Sequence, residues 1–433
     1  MAEANLSVDQ QSAASEHTLG GGRLGALFLT VFLDLLGFGL VMPLLPRYAE
    51  SFEATPLQIG FLGASYSVMQ FIFLPLWGQL SDRIGRRPVL LGSILILCCS
   101  MLILGLAPSL GWLVVARIIG GIATANIATA QAYIADTTTP EARARGMGLL
   151  GMAFGLGFVL GPFFGGMLAI FSLAAPAFAA GALAFINFLW SWWALPESLP
   201  KHRRRVGGTL RIGLNPKLTL ETFRVPGLGV ALGLFFVVCA SFANMEQTFS
   251  LYAHDAFALG PTGTGYIFGV VGLTAAVVQG GLSGRLNRRF GELWLIRAGT
   301  LLQASGFMML ALAKGHGLIA LYVSVITLSV GNGLWGPAIS TLVSKRALAS
   351  SQGTALGVLQ AMGSLARVFG PIMGGFLYGY DERFPFMSGA IGLFVGWLIA
   401  LSLKSTREAA PAATVASAVE ESGEGAALPS LPR

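Results

Sequence analysis

The stretch Gly78-Gln79-Leu80-Ser81-Asp82-Arg83-Ile84-Gly85-Arg86-Arg87 closes one apolar run and opens the next. It returns as Gly280-Gly281-Leu282-Ser283-Gly284-Arg285-Leu286-Asn287-Arg288-Arg289, again between two apolar runs. A second motif keeps that register. Gly161-Pro162-Phe163-Phe164-Gly165-Gly166 returns as Gly370-Pro371-Ile372-Met373-Gly374-Gly375. Both offsets are roughly 200 residues, and each copy holds the same place in its half, which marks an internal parallel repeat.

Around these motifs the chain is apolar in runs long enough to span a bilayer, for which a helix needs about 20 residues. The runs are 24–46, 57–80, 88–107, 110–135, 146–170 and 173–195, then 226–252, 262–283, 293–313, 317–341, 352–379 and 384–403. They predict an all-α integral membrane protein with twelve transmembrane helices in two pseudo-symmetric six-helix bundles. The expected organisation is a tail (1–23), a first bundle (24–195), a polar linker (196–225), a second bundle (226–403) and a tail (404–433) rich in Ala, Glu, Ser and Pro. Such a tail buries too little to fold.

Composition agrees. Of 433 residues 54% are hydrophobic and 11% charged, and mean hydropathy is +0.72. Soluble domains carry about 25% charged residues, so neither a soluble globular nor a disordered chain fits. The 58 glycines follow no collagen period; close helix packing in lipid accounts for them. Cys98, Cys99 and Cys239 lie in apolar runs and read as small hydrophobes, with no disulfide framework implied. Residues 1–22 carry Glu3, Asp9 and Glu16 and no basic region, so the first run reads as a retained helix and not a cleaved signal.

The net charge of +7 sits in short loops, which points to membrane orientation and away from nucleic acid. With the N-terminus inside, the inner loops hold Arg83, Arg86, Arg87, Arg143, Arg145, Arg285, Arg288, Arg289, Lys345, Arg346 and the cations of the linker; the outer loops hold Arg47, Lys314 and Arg383. The expected location is the cytoplasmic (inner) membrane, multi-pass, with both termini cytoplasmic.

The sequence resembles the major facilitator superfamily. The segment Gly78 to Arg87 is similar to that superfamily's helix 2–3 signature. Arg117-Ile118-Ile119-Gly120-Gly121 is similar to the signature of proton-coupled members, and Gly155 to Gly166 to the helix 5 signature of antiporters. Leu33-Asp34-Leu35-Leu36-Gly37-Phe38-Gly39-Leu40-Val41-Met42-Pro43 resembles helix 1 of twelve-helix drug/proton antiporters, the tetracycline-efflux branch above all. The acids that branch carries in helices 3 and 9 are absent: Cys98, Cys99, Ser100, Gln303 and Ser305 stand there. The resemblance implies secondary active efflux by alternating access, with no cofactor beyond a proton gradient. It assigns Arg117 control of the protonation of the acidic site, and makes Asp82–Arg86–Asp136, with Arg83, a charge relay latching the outward-open state.

An ionisable group deep in a bilayer costs at least about 2.5 kcal/mol, which makes it a functional candidate by default. Asp34, Arg117, Glu246 and Arg367 qualify. Asp34 lies mid-helix and either carries a proton or locks its helix to a neighbour. Glu246, on the helix that corresponds to helix 1, either faces the same cavity or is a water-exposed acid near a helix end. Arg367 reads as a structural bond within the second half. Expected cavity groups are Tyr66, Gln70, Asn126, Phe249, Gln279, Asn332 and Trp335, since aromatic walls suit bulky or cationic ligands. Gly155, Gly161, Pro162, Gly165, Gly166, Gly370 and Pro371 are expected to let helices pack closely, helix 5 against helix 8. The expected partners are a small-molecule substrate, protons and the bilayer, with the chain acting as a monomer. Uptake or exchange of a metabolite by the same fold is the competing reading. A membrane-embedded enzyme is disfavoured, as no nucleotide-binding loop or metal-ligand motif appears.

Overall fold

A computed structural model describes residues 24–124, 127–138, 140–204, 216–225, 227–347 and 352–403. Among them there are helices, turns and no strand. The membrane helices are α1 (Leu24–Val41), α2 (Pro56–Ile84), α3 (Arg86–Gly105), α4 (Leu110–Thr137), α5 (Pro140–Leu168), α6 (Ala175–Ala194), α7 (Leu228–Phe257), α8 (Pro261–Phe290), α9 (Glu292–Leu312), α10 (Gly317–Arg346), α11 (Gln352–Tyr378) and α12 (Phe384–Ser402). Eleven are long and apolar enough to cross a membrane; in α5 the apolar part is the shorter Gly155–Leu168. Short helices Leu45–Glu50 and Pro216–Arg224 precede α2 and α7.

Local chemistry sets the helix ends. Thr55 and Gln58 form a reciprocal capping box at the start of α2, and Pro56 occupies its first position. Gly85 (φ +110°) and Gly291 (φ +80°) make the corresponding breaks between α2 and α3 and between α8 and α9, a backbone region that favours glycine. Large apolar side chains face outward, as a bilayer solvent allows: Trp193 is 89% and Phe171 83% exposed.

Within each half, buried polar groups tie the first helix to the sixth. Asn187 on α6 donates to Thr30 O at 2.9 Å and to Asp34 Oδ1 at 2.8 Å, and Ser191 Oγ meets Thr30 Oγ1 at 2.8 Å. In the second half Asn244 on α7 donates to Pro385 O at 2.8 Å and Ser388 Oγ at 2.9 Å on α12.

The halves meet where α2 lies along α11 and α5 along α8. The glycine motifs make these contacts, in a repeated pattern. A Cβ on Gly161 would fall 2.6 Å from Gly39 Cα on α1, and one on Gly370 would fall 2.6 Å from Ala240 O on α7. Five residues on, Gly166 meets Gly265 of α8 (2.8 Å) and Gly375 meets Gly60 of α2 (3.2 Å). Each motif thus packs one face within its half and another across the interface. Contacts across the interface concentrate at the distal end, opposite residues 24 and 403. Toward the proximal end the halves part: a Cβ on Gly155 (α5) or on Gly280, Gly281 or Gly284 (α8) would meet nothing within 4 Å.

Candidate functional site

The parting of the halves leaves a cavity of about 360 Å³. Its wall comes from α1 and the turn after it (Gly39, Met42, Pro43), α5 (Gly155, Pro162), α7 (Phe242, Met245, Glu246, Phe249), α8 (Phe268 to Gln279) and α10 (Val325, Leu328, Asn332). Phe249 and Phe268 pack edge to face at 5.2 Å. The polar side chains in the wall are Glu246, Gln279 and Asn332. Gln279 is carried by a π-helical turn, Val278–Leu282, inside α8; such turns recur at functional sites because they re-aim side chains.

Glu246 is the centre of the wall's chemistry. It has no ion-pair or hydrogen-bond partner among the described residues, and the charges of Arg367 and Arg117 both act on it. Arg117 is 2% exposed, with its Cζ 4.0 Å from the Tyr66 ring centroid and 5.9 Å from that of Phe38. Its Nη2 lies 3.8 Å from Met42 Sδ, and its Nε has no partner. The ring quadrupoles stabilise this buried cation. The small residues after it explain the packing: a Cβ on Gly121 would fall 2.9 Å from Met69 Cβ of α2. Arg367 donates to Ser364 on its own helix at 3.4 Å.

Several expected cavity groups lie elsewhere. Tyr66 is the platform beneath Arg117, Gln70 is buried on α2 away from the wall, and Trp335 is a core residue whose Nε1 donates to Gln303 Oε1 at 2.7 Å. α2, which carries Tyr66 and Gln70, contributes nothing to the wall, and Trp335 shares α10 with Asn332 but packs in the core. Asp34 is likewise absent from the wall, because α6 takes its carboxylate through Asn187. Gly155 and Pro162 line the cavity, so Gly155 is open space and not a packing contact. A Cβ on Gly165 would run into Leu40 of α1, so α5 packs on α1 as well as on α8. Asn126 lies outside the described residues.

At the proximal end Arg86 gathers the loop motif. It reaches Asp82 Oδ1 at 2.6 Å and Ser81 Oγ at 2.6 Å through Nη1, and Asp136 Oδ2 at 3.0 Å through Nε. Its backbone N–H donates to Glu197 Oε1 at 2.8 Å, and Arg204 holds the other Glu197 oxygen at 3.4 Å. Arg83 stands in the same last turn of α2. The relay is formed here with the halves apart at that end, because every member belongs to the first half or the segment that follows it. In the second half Glu292, first residue of α9, pairs with Lys345 in the last turn of α10 at 3.1 Å. Arg86, which opens α3, and Asp136, in the last turn of α4, stand at the corresponding helix ends with opposite signs, although the repeated motif itself pairs Arg86 with Arg288. Outside the membrane spans, Arg383 grips Asp381 and holds its carboxyl at about 2. That tie persists at any pH above that value and contributes no pH dependence near neutrality.

The family model of the Major Facilitator Superfamily matches residues 27–371 and 280–428. The chain belongs to that superfamily. Among its members, the class C tetracycline resistance protein of Escherichia coli is 36% identical over 348 residues, 79% of this chain and 86% of that protein. Multidrug resistance protein 1 of Bacillus subtilis (strain 168) is 29% identical over 385 residues, 88% and 96% of the two chains. A crystal structure of the human organic anion transporter MFSD10 (TETRAN) is 27% identical, with a TM-score of 0.68 over 88% of this chain and 99% of that one. The superfamily is one of multi-pass transporters of small molecules, and its two-bundle fold is the one described above.

Proposed function

We propose that this transporter exports small lipophilic or cationic compounds in exchange for protons by alternating access. One observation carries the reading: Glu246, an unpartnered carboxylate, opens into an apolar cavity at the interface of the two halves. A lone acid in such a wall binds either a proton or the cationic group of a cargo, and that competition is what exchange requires. Arg117, fixed on Tyr66, controls the protonation of the acidic site. Asp34, on the matching helix of the first half, is the second proton carrier, and Asn187 orients it. The similarity to tetracycline and multidrug resistance proteins supports export. The basic loops support cytoplasmic termini in the inner membrane, which makes the described state inward-open. We take the functional unit to be the monomer.

A panel of drug-susceptibility and dye-extrusion assays in efflux-deficient cells tests this. Extrusion that a protonophore abolishes is expected; accumulation would overturn it. One observation favours exchange of an organic anion instead. The charges of Arg117 and Arg367 both act on Glu246, and MFSD10 is described as an organic anion transporter. Anionic dyes extruded in preference to cationic ones would decide for it.

A further inference from the structure

One residue along α7 from Glu246, Gln247 points the other way, across the interface. It is 1% exposed, and its Nε2 donates to Ile59 O of α2 at 3.3 Å. The amide sits in a notch made by Gly63: a Cβ there would fall 2.5 Å from Gln247 Oε1 and 2.8 Å from Cδ. Oε1 has no partner in the notch. Ile59 and Gly63 belong to the distal half of α2, where Gly60 and Gly375 bring α2 and α11 together. A long polar side chain buried against the other half's helix, with its amide oxygen unpaired, is poor packing for a permanent interface. It suits a contact made to be broken.

We propose that Gln247 is the pin of the distal seal. Its amide, seated in the Gly63 notch, holds the halves together at that end, and it must withdraw before the cavity opens there. Because α7 presents Glu246 to the cavity and Gln247 to α2 on successive positions, loading of the acid and release of the pin move one turn of one helix. The proposal rests on the alternating-access reading above.

The test uses the full chain with its three cysteines replaced by serine and Ala276→Cys placed in the cavity wall. Labelling by a membrane-impermeant maleimide from the distal side, in vesicles of known orientation, reads opening at that end. Labelling from the proximal side confirms that the protein is folded. Gln247→Ala is expected to raise the distal rate about fivefold, the factor one net hydrogen bond carries. Gly63→Ala, which expels the amide from its notch, is expected to do the same. In the double variant the two effects should not add, since the amide that Gly63→Ala displaces is already gone. Distal labelling in the parent that neither variant changes overturns the pin and leaves alternating access standing. Additive effects also overturn it, as they mean general loosening. No distal labelling in any variant, with proximal labelling intact, overturns alternating access and the pin with it.

Discussion

Glu246 and Asp34 are both acids on equivalent helices, yet their surroundings differ. Glu246 faces an apolar cavity with no partner, whereas Asp34 receives a hydrogen bond from Asn187. Replacing Glu246 with glutamine keeps the shape and removes the charge. Proton-driven extrusion of cationic dyes is expected to disappear, while downhill equilibration of a neutral substrate persists; flux in reconstituted vesicles with and without a pH gradient separates the two. Asp34→Asn is expected to abolish proton-driven transport as well. Asn187→Ala strips a donor from the buried Thr30 O and from the half-buried Asp34 Oδ1, and should cost about 1–3 kcal/mol of stability, read as a lower thermal midpoint in detergent. These residues show what the sequence offered and withheld. An ion in an apolar run announces itself by its type. Which side of the helix it takes depends on partners such as Asn187 or Gln303, which are distant in the chain and ordinary in composition.

At the level of elements, glycine decides which helices touch. The copied motifs in α5 and α11 were legible as packing faces because they repeat with fixed spacing. Their two-sided use was not, since spacing alone does not say that Gly161 and Gly165 serve α1 while Gly166 serves α8. The length of α2 past Pro75 and the π-helical turn of α8 also leave no periodic trace. Gly161→Val sets a branched side chain against Gly39 and is expected to destabilise the first half by about 1–3 kcal/mol or shift α1. Gly155→Val, in open space at the cavity wall, should leave thermal stability unchanged and lower substrate affinity, so the pair distinguishes packing from binding glycines.

For the whole molecule, the tie around Arg86 joins α2, α3, α4 and the segment after α6 at one point. Asp82→Asn removes its 2.6 Å ion pair. The expectation is a lower thermal midpoint together with slower transport; both unchanged would separate the tie from the transport cycle. The second half is organised by Glu292 and Lys345 instead, and Gly284 stands where Asp82 does in the first. That reversal has an ancestral meaning. If the halves descend from one duplicated unit, then the charge that opens α3 or α9 and the charge that closes α4 or α10 have been reassigned together, since the motif pairs Arg86 with Arg288 while the second half makes its tie through Glu292. Changing them one at a time passes through a like-charge or a neutral pair. The heritable unit is therefore the pair of helices and not the single helix. A chimera that moves α9 alone into the place of α3 sets Glu292 against Asp136, whereas one that moves α9 and α10 together brings its own partner with it.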